Sequence, residues 1–218
     1  MNILLINANQ MKSPPVIPVG LEYLSTSLED YGYSASILDL CFSEDPEGDL
    51  QKEIETSSYD VVGFTIRNID SALFFNNEFF LPRYLPLIKI IKEHHLPIVL
   101  GGAGFSAMPN EILEFLGGDF GIMGPGDRAF PQLLNSIKEP HNEHRIWNGW
   151  EAGIDPELVP IRGRQIEYST YMADEGIIGF TTSYGCPNLC PYCIESQTPV
   201  HFRKIPSVIR ELSELVEK

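Results

Sequence analysis

Asn2-Ile-Leu-Leu-Ile-Asn7 places an unbroken apolar run at the start of the chain. It is too short for a helix and lacks polar alternation, so it describes a strand covered on both faces, which is the habit of a parallel sheet. Leu21, Leu24 and Leu28 then recur at helical spacing, Gly32 stops that helix, and Ser36-Ile-Leu-Asp-Leu40 reads as a second strand. Asp60-Val-Val-Gly-Phe64, Pro97-Ile-Val-Leu100 and Asp119-Phe-Gly-Ile-Met123 repeat the pattern, with helices expected around residues 47–57, 80–95, 109–117 and 127–138. This alternation predicts an α/β domain over residues 1–138, a doubly wound, flavodoxin- or Rossmann-like parallel sheet of five strands.

Ligands of such sheets bind beyond the carboxyl ends of the strands, at the switch point of the winding. The residues at those ends are therefore the candidate binding set. They are Asn7, Ala8 and Asn9 after the first strand, and Thr65, Ile66, Arg67 and Asn68 after the third. Gly101, Gly102, Ala103 and Gly104 follow the fourth strand, and Gly124, Pro125, Gly126 and Asp127 the fifth. Glycine-rich tips let a large flat or phosphate-bearing ligand approach the backbone. Gly102-Ala-Gly-Phe-Ser-Ala107 also satisfies G-x-G-x-x-A, but a dinucleotide fingerprint belongs to the first strand-to-helix turn. With Pro109 as first helical residue, the helix is expected to start too late for these glycines to open it. His94 and His95 suit the negative pole at a helix end, and Phe74, Phe75, Phe79 and Phe80 read as packing beside the third tip.

Beyond this domain, residues 139–176 are irregular and rich in Pro, Gly, Asn and charge, and read as a connector with a few short strands. Ile177-Ile-Gly-Phe-Thr-Thr182 reads as a short buried strand, and Val208, Ile209, Leu212, Leu215 and Val216 mark the apolar face of a helix. Between them, Gly185-Cys-Pro-Asn-Leu-Cys-Pro-Tyr-Cys193 carries three of the chain's four cysteines. A four-iron cluster takes four thiolates, so a set of three leaves one iron free for something that is not protein. The same thiols with His201 would also make a tetrahedral zinc site, although structural zinc usually pairs two such knuckles. Cys41, after an apolar run, reads as a small core residue.

Cysteine use without a secretory signal indicates a reducing, cytoplasmic setting. No run approaches the roughly 20 apolar residues of a membrane span. The formal net charge of −15 repels phosphate backbones, so neither membrane nor nucleic acid is an expected partner.

The C-x3-C-x2-C spacing, with Tyr192 before its last cysteine, resembles the signature of the radical S-adenosylmethionine enzymes. That resemblance implies a [4Fe-4S] cluster on Cys186, Cys190 and Cys193, with Tyr192 beside the cofactors. S-adenosylmethionine would chelate the free iron, and an electron from the cluster would split it to a deoxyadenosyl radical. Residues 177–218 would then be the first strand, cluster loop and helix of that family's barrel. Pro18-Val-Gly-Leu-Glu-Tyr-Leu24, the Gly101-Gly102 pair and Gly124-Pro-Gly-Asp127 resemble the cobalamin-binding domain that precedes the barrel in one large branch. The likeness implies that Thr65 and Ile66 face the nucleotide loop or lower face of the corrin, and that Gly101 and Gly102 make room for the cobalamin tail.

Two departures carry chemical weight. Asn7-Ala-Asn-Gln-Met-Lys12 lacks the aspartate and histidine of D-x-H-x-x-G, so any cobalamin is expected to bind without histidine ligation, and Pro125 stands where relatives usually have an acidic residue. Arg67 admits two readings: a cation that offers cobalt no lone pair, or an ordinary partner of Asp70.

A complete barrel needs on the order of 200 more residues, so the chain is expected to be the N-terminal portion of a longer protein and inactive alone. For the whole protein the resemblance implies methyl transfer, or oxidative or ring-forming chemistry, on an unactivated carbon of a small-molecule substrate. An electron donor such as ferredoxin or flavodoxin would serve it. The alternatives are a radical enzyme without cobalamin and a non-catalytic cobalamin-binding or sensing module.

Overall fold

Among the described residues six parallel strands build the sheet, five of them close to the expected positions: β1 (Asn2–Asn7), β2 (Ser34–Asp39), β3 (Val61–Thr65), β4 (Ile98–Gly101) and β5 (Phe120–Met123). The sixth, β6 (Ile146–Asn148), comes from the segment read as a connector and pairs with β5 from Gly121–Ile146 to Met123–Asn148. The computed structural model describes residues 1–71, 73–137, 145–196 and 198–216. The expected domain limit at Lys138 and the first residues of the connector, 139–144, lie outside the described residues.

The strand order β2-β1-β3-β4-β5-β6 reverses direction at β1 and β3, which is the winding switch of a flavodoxin-like sheet. Side chains alternate between two apolar layers, as the period of a strand requires. Leu4, Ile6, Val62 and Leu100 pack with the helices α2 (Pro46–Thr56), α3 (Leu85–Glu93) and α5 (Pro109–Leu116). Ile3, Leu5, Val61 and Val99 face the opposite layer, α1 (Val19–Asp30) and α6 (Ala129–Ser136). Local chemistry sets the helix limits. Asp45 caps α2 by accepting the Gly48 N–H at 3.0 Å. Gly117, at φ +70°, ends α5 in the left-handed conformation. The helix expected over 80–95 divides into a 3-10 turn, Leu81–Tyr84, and α3, because Pro82 and Pro86 leave two amides without hydrogen.

Among the described residues three short helices were not expected: two lie within residues 149–173, in the segment read as a connector with short strands, and one within the sheet domain. Residues 103–107 form α4 (Ala103–Ala107) directly after Gly102, ahead of α5. The glycine pair therefore does open a helix, and the turn at Met108 explains how Pro109 still begins another. His94 takes the C-cap of α3 and lies 3.1 Å from the Gln51 amide nitrogen, in keeping with a capping role.

The C-terminal third departs further from expectation. Residues 177–182 do not form a buried strand: Ile177, Ile178 and Phe180 are exposed. Ile177 makes a single parallel bridge to Val16. An apolar run becomes an interior strand when neighbours flank it along its length, and this one is met only at its ends, by residues 15–17 at Ile177 and by Arg203 at Thr182. After α7 (Gly149–Ala152) and α8 (Tyr168–Ala173), the two-residue strands β7 (Ser183–Tyr184) and β8 (His201–Phe202) pair antiparallel. The last helix, α9 (Ile205–Val216), forms as its periodicity predicts. Its apolar residues Ile209 and Val216 are nonetheless exposed, and its one fully buried side chain is Glu211.

Glu211 is buried because four charges neutralise one another around it. Its Oε1 accepts from Arg162 Nη1 at 2.5 Å and its Oε2 from Arg203 Nη1 at 2.6 Å. Arg162 Nε reaches Glu22 Oε2 on α1 at 2.6 Å. The Tyr23 hydroxyl accepts from Arg203 and donates to Glu211, both at 2.6 Å. Burial first, then the hydrogen bond to Glu211, pushes the Tyr23 hydroxyl well above its ordinary pKa, so it remains a donor. Among the described residues no helix is long and apolar enough to cross a membrane.

Removing one partner of a buried pair leaves an uncompensated charge, at a cost of about 3 to 5 kcal/mol. Glu211→Ala is therefore expected to lower the unfolding free energy by that amount in denaturant titration. Ile209→Ser, on the exposed face of the same helix, should change it by less than about 0.5 kcal/mol.

Candidate functional site

A cavity of about 420 Å³ opens at the carboxyl ends of β1, β3, β4 and β5. It lies where the switch in winding parts the helices. Its floor is the sheet face that carries Leu5, Gly63, Val99 and Ile122, and its cover is the entry to α1 from Val16 to Leu24. Gly63 sits between Leu5 and Val99 in the strand register. A Cβ there would lie 2.7 Å from a Leu5 methyl and 3.0 Å from the Phe130 ring, so the absent side chain lets the floor close without a clash. Thr181 and Tyr184, from the C-terminal third, complete the wall.

The expected binding residues divide between lining and support. Asn7, Thr65, Arg67, Gly101, Gly102, Ala103, Gly124 and Gly126 line the cavity. Asn7 is already engaged, donating to Asp39 Oδ1 at 2.8 Å. Ala8 and Asn9 fall elsewhere, on a small recess of about 40 Å³ with Tyr84 and Leu87. The chain turns away from the cavity immediately after β1, and this carries them to the other layer. Ile66 is wholly buried in the core, and its carbonyl accepts the Gly104 N–H at 2.9 Å, so both support the tip from behind. Asn68 lies outside the lining.

Arg67 stands exposed at the mouth and, among the described residues, enters no ion pair. Asp70 accepts instead from the Asn77 amide at 2.9 Å. The glycine tips are joined across strands: the Gly124 N–H donates to Ser106 Oγ at 2.9 Å, and the Ser106 hydroxyl donates to the Gly102 carbonyl at 2.9 Å.

Several lining residues escape strand-end reasoning. Val16–Leu24 arrive from a helix start, Gly63 and Val99 from strand interiors, and Tyr184 from beyond the sheet. For the helix start the sign is the Pro18–Leu24 motif, and for Gly63 it is a glycine inside an apolar strand, which marks close approach of a ligand or another group. Burial first, then the charge of Asp127, raises the pKa of the Tyr184 hydroxyl.

Cys186 follows Tyr184 by two residues. Gly185, at φ +79°, turns the chain where a Cβ would strike the Pro199 carbonyl at 2.0 Å. The base of the loop is pinned: the Cys186 N–H donates to Thr198 Oγ1 at 3.0 Å, and Cys186 bridges Ser196. Toward its tip, the Cys193 N–H donates to the Cys190 carbonyl at 3.2 Å. All three are free thiols, and Tyr192 is exposed beside them. Among the described residues no three His, Cys, Asp or Glu side chains stand already grouped to hold a metal. The loop therefore offers a donor set by chemistry, three thiols on one short turn, and not a closed cage. His201 is held in β8 opposite Tyr184 and does not join them. Cys41 is a core residue packed with Ile17 and Tyr171, as expected.

Residues 13–134 match the model of the B12 binding domain. Over 146 residues the chain is 33% identical to a tryptophan 2-C-methyltransferase of Streptomyces laurentii, covering 66% of this chain and 24% of that protein. Two solved structures of the radical S-adenosylmethionine methyltransferase TsrM from Kitasatospora setae superpose with a TM-score of 0.88. One holds tryptophan and a S-adenosylmethionine analogue, at 26% identity. The other holds cobalamin and a [4Fe-4S] cluster, at 25% identity. Each alignment covers 99% of this chain and less than half of TsrM, 45% and 46%.

The two adjoining glycines at the fourth tip differ in what they tolerate. Gly102 has φ +98° and a Cβ would lie 2.6 Å from the Ile66 carbonyl, whereas at Gly101 the nearest atom would be 3.8 Å away. Gly102→Ala should cost about 1 to 3 kcal/mol of stability. Gly101→Ala should be neutral or stabilising by up to about 1 kcal/mol, which paired denaturant titrations would resolve.

Proposed function

Because the chain belongs to the B12-binding domain family, we propose that its cavity receives cobalamin and that Cys186, Cys190 and Cys193 hold a [4Fe-4S] cluster which binds S-adenosylmethionine. In the whole protein these would serve a radical methyl transfer to carbon. The observation that carries this reading is adjacency: Tyr184 lines the cavity, and Cys186, two residues later, opens the thiol loop. A cofactor in the first and a cluster on the second would meet at one place.

The residues fit such a cofactor in three respects. The floor is apolar, Gly101 leaves its part of the rim without a side chain, and among the described residues the lining contains no histidine to ligate cobalt. Bound cobalamin supplies a transferable methyl group, and the cluster supplies the electron that activates S-adenosylmethionine. The protein's part is to hold them. The sheet floor and the α1 entry would exclude water from one face, and the pinned base of the loop would fix the thiols relative to Tyr184. Arg67, at the mouth of the cavity, would stand beside the cofactor as a cation with no lone pair to offer its metal. An aromatic amino acid such as tryptophan is the substrate to try first, since the similar methyltransferases act on it or bind it. An external donor such as ferredoxin or flavodoxin would deliver the electrons. We further propose residues 1–138 as the cobalamin unit, 139–176 as the connector and 177–218 as the start of the radical unit.

Anaerobic reconstitution should load about four iron and about four sulfide per chain, together with cobalamin in equal proportion to protein. Cys190→Ala should lose the iron and keep the cobalamin. Iron without cobalamin would instead identify a plain radical enzyme, cobalamin without iron a binding or sensing module, and zinc alone a structural knuckle. Separately, Arg67→Leu is expected to weaken cobalamin binding and shift its visible spectrum toward a ligated form. An unchanged affinity and spectrum would remove Arg67 from the site.

A further inference from the structure

Two tyrosines line the cavity, Tyr23 from α1 and Tyr184 from β7. Their hydroxyls are in opposite states. That of Tyr23 is engaged inside the protein, donating to Glu211 Oε2 and accepting from Arg203 Nη1, both at 2.6 Å. That of Tyr184, on a half-buried residue, has no hydrogen-bond partner among the described residues, and it is not one of the unpartnered side-chain atoms cut off from solvent. It can therefore be reached from the cavity side. Burial first, then the charge of Asp127 on the same wall, keeps the phenol protonated well above its ordinary range, so it meets a ligand as a neutral donor. A donor largely withdrawn from water and given no protein acceptor costs free energy that an incoming acceptor returns.

The position of the ring is set before any ligand arrives. Ser183 and Tyr184 pair with Phe202 and His201, and Gly185 then turns the chain where a Cβ would strike the Pro199 carbonyl. Tyr184 also lies beyond residues 13–134, the stretch that matches the B12 binding domain. We propose that the Tyr184 hydroxyl is a binding group of the cavity, giving its hydrogen to an uncharged oxygen acceptor of the occupant, so that the segment carrying the thiol loop also holds what the sheet receives. The proposal rests on the cobalamin reading, in which the acceptor is a carboxamide carbonyl, a group that the rim of a corrin bears in several copies. An anionic acceptor is disfavoured there by Asp127. Because the hydroxyl holds nothing in the empty protein, it contributes to binding and not to folding.

The test uses the whole chain and hydroxocobalamin. Equilibrium dialysis read by visible absorbance gives a Kd, and denaturant titration of the unliganded protein gives an unfolding midpoint. Tyr184→Phe removes one oxygen and keeps the ring, so it should weaken cobalamin binding about fivefold and leave the midpoint where it was. A Kd within about twofold of that of the unmodified protein would overturn the proposal. A lowered midpoint would overturn it as well, because the hydroxyl would then be serving the fold. If the unmodified protein takes up no cobalamin, the cofactor reading itself falls, which is a different and separately visible result.

Discussion

Two arginines and two glutamates, closed off from water, tie the beginning of this chain to its end. Glu22 and Tyr23 sit on α1, Arg162 on the loop before α8, Arg203 just after β8, and Glu211 on α9. The charges sum to zero, which is the condition under which such a group can be buried at all. An apolar cluster of similar volume could hold the same segments at no loss of stability, so the contribution peculiar to the charges is directional. A carboxylate with one guanidinium on each oxygen fixes both the rotation of α9 and its distance from α1.

That geometry reaches the cavity because α1 serves both structures. Gly20, Leu21 and Leu24 cover the apolar floor, Glu22 on the same turns holds Arg162, and Tyr23 does both, lining the cavity while its hydroxyl meets Arg203 and Glu211. Residues one or two apart on a helix face different sides, so a single helix can carry a ligand wall on one side and an ionic anchor on the other. Any shift of α1 demanded by a bound ligand would strain the anchor, and the cost of that strain keeps the wall where it is.

The sheet was readable because its strands are short, apolar and spaced by unmistakable helices. The strand ends, and with them most of the cavity rim, followed from the rule that ligands meet the carboxyl edge. The remainder is governed by long-range pairing that leaves no local sign. Arg162 lies in a stretch that reads as irregular, and Glu211 lies on the same helical face as Val208, Leu212 and Leu215, where an interior position is expected to be apolar. Nothing near either residue announces that the other will neutralise it from 49 positions away. Residues 177–182 failed for the opposite reason: the local signal for a buried strand is clear, but burial depends on neighbours that periodicity does not report. Ala8 and Asn9 show the same limit at smaller scale, since strand-end logic gives the edge but not which way the chain turns beyond it.

The thiol loop illustrates how these constraints combine. At its start, Tyr184 borders the cavity and pairs in β7 with His201; at its finish, Phe202 completes β8 and Arg203 enters the ionic cluster. Both ends are therefore fixed by contacts that have nothing to do with metal, whereas Leu189, Tyr192 and Cys193 at the tip are exposed. If the loop holds the proposed cluster, its ends are already in place and only the exposed tip has to bring the thiols together. Were the base secured only by a bound metal, the distance from thiols to cavity would vary with occupancy. Because Tyr184 and Arg203 secure it independently, that distance is a property of the fold.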